Sequence, residues 1–74
     1  MTNKDTYAAT YSQAFIDAYP QLPAANAKGL IEKALKVALE NIRSVNIDGA
    51  AFKATSKTLG IKHTYKDIEA YLNQ

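Results

Sequence analysis

Apolar side chains recur along this chain at intervals of three and four, the period of helices that bury one face. Tyr7, Ala8, Tyr11, Phe15, Ile16 and Tyr19 make the first such run. They predict a helix over residues 5–19, with Asn3 or Asp5 available to cap its start and Pro20 to end it. The stripe is aromatic and needs a partner to cover it.

After the break at Tyr19-Pro20-Gln21-Leu22-Pro23, Pro23 suits the first position of a helix, where its missing N–H is not needed. A second helix is predicted over residues 23–45, about 33 Å long at ~1.5 Å per residue. Leu30, Ile31, Ala34, Leu35, Val37, Ala38, Leu39, Ile42 and Val45 cover more than one narrow stripe of it. The helix should therefore be the spine of the fold, packed on several sides, and shorter neighbours leave part of it for a dimer contact. Glu32/Lys36 and Lys36/Glu40 stand four apart on its surface.

A third helix is predicted over residues 49–59. Asp48 is placed to cap it, and Ile47 outside is placed to staple to Phe52 inside. Gly60 supplies the left-handed stop, with Ile61 folding back onto the last turn. Thr64 and Asp67 read as a variant capping box that opens a fourth helix over residues 64–72, with Ile68, Tyr71 and Leu72 facing inward. The last two or three residues should fray. The expectation is an all-α single domain spanning residues 1–74: a small bundle of four helices ending in a hairpin of the helix-turn-helix kind.

Composition narrows the function more by exclusion than by assignment. Hydrophobic residues make up 47% and charged residues 22% of the 74, a balance that favours folding over disorder. There is no cysteine, which removes disulfides, thiolate metal ligands and a thiol nucleophile, and fits a cytoplasmic location. The first residues, Met1 to Asp5, do not lead into the apolar run of a signal peptide. Lys33, Lys36, Glu40 and Arg43 interrupt the most hydrophobic region, so no membrane association is expected.

Nor is an enzyme expected, or a cofactor. His63 is the single histidine, and without cysteine it cannot assemble the three or four ligands of a metal site. A triad could be composed on paper from Ser56, His63 and Asp67, but 74 residues give little room for a cleft that excludes water. Asp5/Asp17 and Glu32/Glu40 lack the spacing of an acid–base couple, and glycines 29, 49 and 60 lie too far apart to cradle a phosphate. Tyr7, Tyr11 and Phe15 could stack on single-stranded bases, but four-residue spacing on one face is what a helix buries in a core or dimer.

The net charge is only +2, but its distribution is uneven. Residues 49–66 carry Lys53, Lys57, Lys62 and Lys66 with His63 and no acid. Two short helices joined by a glycine turn, the second opening on Thr64-Tyr65-Lys66, would set basic side chains beside free helix N–H groups. The segment Phe52-Lys53-Ala54-Thr55-Ser56-Lys57-Thr58-Leu59-Gly60-Ile61-Lys62-His63-Thr64-Tyr65-Lys66-Asp67-Ile68-Glu69-Ala70-Tyr71-Leu72 resembles helix-turn-helix DNA-binding proteins. Leu59-Gly60-Ile61 matches the leucine-glycine-aliphatic turn of that family, and Ser56 is small where the family usually places alanine. Where the family has aliphatic residues six and nine positions after the glycine, this chain has Lys66 and Glu69, with Tyr65 and Ile68 one position earlier.

The resemblance implies that Lys62, His63, Thr64 and Lys66 face DNA, with Lys53 and Lys57 supporting phosphate contact from the preceding helix. The plain alternative is that these lysines only solvate an amphipathic hairpin. Two functions follow as expectations. One is a small non-enzymatic DNA-binding or accessory regulatory protein whose partner is double-stranded DNA, bound as a homodimer through helix 1 and helix 2. The other is a protein–protein interaction module, such as a phage-type or mobile-element inhibitor or adaptor, whose partner is a protein met by the helix 1 aromatics and spare helix 2 surface.

Overall fold

The computed structural model describes residues 2–74, with Ala24 described by its backbone alone. Four α-helices form a small all-α bundle: α1 (Asn3–Ala18), α2 (Ala24–Ala38), α3 (Ala50–Leu59) and α4 (Tyr65–Leu72). A 3₁₀ segment, Leu39–Ser44, follows α2 directly.

Local chemistry marks several of these boundaries. Thr2, not Asn3 or Asp5, caps α1. Its hydroxyl accepts from the Asp5 amide at 3.1 Å, and the Asp5 carboxylate accepts from the Thr2 amide at 3.0 Å, a complete capping box. Pro23 sits one residue before α2 as its cap, and its carbonyl accepts from Asn26 and Ala27. The cap of α3 is Gly49, and no side chain bonds the first turn. The Asp48 amide instead donates to Asn46 Oδ1 at 3.1 Å, and Ile47 and Phe52 meet in the core rather than as a staple across a cap.

The predicted helix over residues 23–45 is not continuous. Asn41 leaves the helical region (φ −138°, ψ 78°), and α2 proper is 15 residues, about 22 Å at ~1.5 Å each. Leu39 before the break and Ile42 after it both turn into the core. Gly60 adopts φ +72° as predicted, and the Ile61 amide donates back to the Ser56 carbonyl at 3.0 Å, the long-range bond of a Schellman stop.

The core gathers Tyr7 and Ala8 of α1, Leu35 of α2, Leu39 and Ile42 of the 3₁₀ segment, Ile47, Phe52 of α3 and Ile68 of α4. α1 is the central element and packs along both α2 and α3. It meets α3 through Tyr7 and Tyr11, whose rings lie against Phe52, and the small residues Ala8, Ser12, Ala51, Thr55 and Ser56 of the two helices are all buried. The Ser12 and Thr55 hydroxyls satisfy themselves on the carbonyls of Ala9 and Ala51. α4 packs against α1 and the 3₁₀ segment, and the Tyr65 hydroxyl donates to the Val45 carbonyl.

Candidate nucleic-acid interface

The basic residues of the α3–α4 segment divide according to what their backbone positions allow. On α3 the buried positions are Ala51, Phe52, Thr55 and Ser56, so Lys53 and Lys57, four apart, share the opposite, exposed face with Ala54 and Thr58. Lys62 lies in the turn after Gly60 and Lys66 in the first turn of α4, and both are exposed. Among the described residues, none of these four ammonium groups forms an ion pair.

The acids are in the opposite condition. Asp5 and Glu32 share Lys36 at 3.1 and 3.7 Å, and Glu69 takes Arg43 at 3.2 Å. Asp17 accepts from Gln13 at 2.9 Å, and Asp67 is held by Thr64. The Thr2 amide, followed by Lys36, holds the Asp5 carboxyl down at about 2, and Asp5 in turn raises Lys36. Most of the negative charge is therefore engaged within the molecule, while the cations of residues 49–66 face outward.

Two of the six predicted contact residues stand differently. Both ring nitrogens of His63 are shielded from solvent and have no hydrogen-bond partner, so the imidazole offers no N–H to a phosphate. Thr64 is exposed, but its hydroxyl accepts from the Asp67 amide at 3.1 Å and donates to the Asp67 carboxylate. That carboxylate lies in the first turn of α4 and already satisfies the positive end of the helix. The α4 N-terminus is therefore a poorer anion site than its sequence implies, and the cationic character rests on Lys53, Lys57, Lys62 and Lys66.

Comparison with protein-family models, curated proteins and solved structures finds no match. The reading of the site therefore rests on its own chemistry.

The paper triad does not assemble. Ser56 Oγ lies 3.4 Å from the Tyr7 hydroxyl, His63 has no partner, and Asp67 bonds Thr64. No cluster of three or more metal-ligating side chains occurs among the described residues, and no helix there is long and apolar enough to cross a membrane.

Of the aromatic stripe, Tyr7 is fully buried, and burial pushes its hydroxyl and that of Tyr11 above the ordinary phenol range. Tyr19, Phe15, Tyr11, Phe52 and Tyr7 form a tilted series with neighbouring centroids 4.7–6.2 Å apart. The stripe thus serves packing along most of its length.

A second surface carries a different chemistry. Tyr11, Phe15, Ile31, Ala34, Leu35, Ala38, Val45 and Phe52 line an apolar groove of about 300 Å³ beside α2. Next to it, Leu30 is 70% and Val37 64% exposed. The sequence signal for this surface was the breadth of the apolar arc on α2, wider than the single neighbour α1 covers.

Proposed function

We propose that this protein is a small non-enzymatic accessory protein that binds the phosphate backbone of double-stranded DNA through Lys53, Lys57, Lys62 and Lys66. The observation that carries the reading is that all four lysines are exposed and, among the described residues, unpaired in a stretch without acids, while five of the chain's carboxylates are engaged by its own side chains and backbone. Such cations displace condensed counterions from a duplex, which drives binding without regard to sequence. With the Thr64 hydroxyl turned onto Asp67 and the His63 nitrogens shielded, the interaction is backbone contact and not base readout. His63 acts as a packing residue in this scheme.

Fluorescence anisotropy with a random labelled duplex tests it. Four phosphate contacts predict a loss of roughly 10²-fold in affinity between about 50 and 200 mM salt. Replacing Lys57, Lys62 and Lys66 together by alanine should remove most of the binding. Absence of a complex at low salt with micromolar protein, or binding unchanged in the triple variant, rejects the reading.

A second reading has its own support. Leu30, Val37 and the groove beside them make an apolar face of the kind that marks an interaction surface, which favours a protein-binding module. As an inhibitor or adaptor the chain would use this face and not its lysines, and its complex would be nearly insensitive to salt.

A further inference from the structure

Leu30, Ala34 and Val37 follow one another at four and three residues along the outer side of α2, all exposed. On the adjoining side of the same helix, Ile31, Ala34 and Ala38 line the apolar groove together with Tyr11 and Phe15 of α1 and Phe52 of α3. The exposed row therefore alternates large, small and large apolar side chains, with the groove on one flank and charged residues on the other. A surface of this kind is complementary to itself when a two-fold axis turns one copy onto the other.

The charges on the free edge of that face set the direction. Lys33 and Glu40 are exposed and, among the described residues, neither has an ion-pair partner. They stand seven residues apart, two helical turns, and Ala38 and Leu39 keep helical dihedrals, so Glu40 continues the line of α2. In a parallel pair about a two-fold axis, the flank carrying Lys33 and Glu40 falls on opposite sides of the seam in the two copies, so these charges stay apart. In an antiparallel pair about a two-fold axis, the same flanks lie side by side with reversed order. Each Lys33 then comes within a turn of Glu40 of the second copy, twice over, and Ala34 of one copy faces Val37 of the other, small against large.

We infer that the outer face of α2 binds a second copy of this chain, antiparallel, with Leu30, Ala34 and Val37 packing against the same row of the other copy and Lys33 pairing with its Glu40. The inference does not depend on DNA binding, because none of its residues belongs to the lysine set of the α3–α4 segment. A contact built on one face of a short helix is small beside the roughly 800 Å² per partner of a standard interface, so the dimer is reversible and concentration-dependent.

Sedimentation velocity between about 5 and 500 μM gives the test. The wild-type chain should shift from monomer to dimer across that range. Leu30→Glu and Val37→Glu, at positions already open to solvent, should each remain monomeric with an unchanged far-ultraviolet circular dichroism spectrum. Lys33→Glu alone and Glu40→Lys alone should each weaken the dimer by roughly three- to tenfold, and the double exchange should restore it to within about twofold of wild type. A wild-type chain that is monomeric throughout overturns the proposal and leaves the face to a different protein. A dimer indifferent to Leu30→Glu and Val37→Glu places the contact elsewhere, and single charge exchanges without effect overturn the antiparallel arrangement.

Discussion

The Asp5 carboxylate lies 3.1 Å from Lys36 Nζ, so one side chain both closes the capping box of α1 and ties the start of that helix to α2. The link makes a pH prediction. The Asp5 carboxyl is held at about 2, below its ordinary 3.8, so the folded chain binds this proton less readily than the unfolded one. The resulting stability is complete above about pH 4 and is lost as the pH falls toward 2. Wild-type Tm should therefore drop across that window. Asp5→Asn should show a lower Tm at neutral pH and a flatter profile below pH 4, measured by thermal melts at several pH values. An equally steep acid decline in the variant would assign the effect to another group.

Ile68 is completely buried and is the residue that α4 contributes to the core cluster. Truncation to alanine leaves a cavity where α4 meets α1 and the 3₁₀ segment, at a cost of about 2–5 kcal/mol. For a domain of this size that lowers Tm by roughly 10–30 °C. A loss of only a few degrees would show that α4 is not part of the cooperative unit.

Two glycines should respond oppositely to the same change. Gly60 holds φ +72°, so Gly60→Ala should cost about 1–2 kcal/mol from the backbone alone, since no atom crowds the new methyl. Gly29 lies within α2 with open space around it, and Gly29→Ala should gain about 0.5–1 kcal/mol. Urea titrations of both variants check the signs, and a neutral Gly60→Ala would contradict the left-handed stop.

Thr64 separates helix capping from DNA contact. Thr64→Ala removes the acceptor of the Asp67 amide and should cost about 1 kcal/mol of stability. If binding is backbone contact through the lysines, affinity for random duplex should stay within about twofold, measured by anisotropy well below Tm. A larger loss of affinity would return this hydroxyl to the interface.

The particular residues show why some features were legible and others were not. The Gly60 stop, the Thr64 opening, the Pro20 break and the burial of Tyr7, Phe52 and Ile68 follow from signals spaced three to five residues apart. The α1 cap was missed by one to three residues because Thr2, Asn3 and Asp5 are all competent caps, and only the reciprocal bond between Thr2 and Asp5 selects one. Asn41 ends the helical backbone inside a run of apolar residues that keeps helical spacing to Val45. The place of this break was not legible in the apolar pattern, because Leu39 and Ile42 are three apart and would share a buried face in a continuous helix as well.

The candidate site divides in the same way. The exposure of Lys53 and Lys57 could be read from their helical phase against Phe52 and Ser56, but the shielding of His63 could not, because it depends on how the turn after Gly60 folds over the body. By itself the sequence determined four helices, the stops at Pro20 and Gly60, a core and a cationic segment, because each is written in interactions between near neighbours along the chain. Tertiary structure alone decided which part of the broad apolar arc of α2 is covered and which carboxylates are engaged. Those depend on the helix that lies alongside: α1 covers one side of α2 and leaves Leu30 and Val37 open.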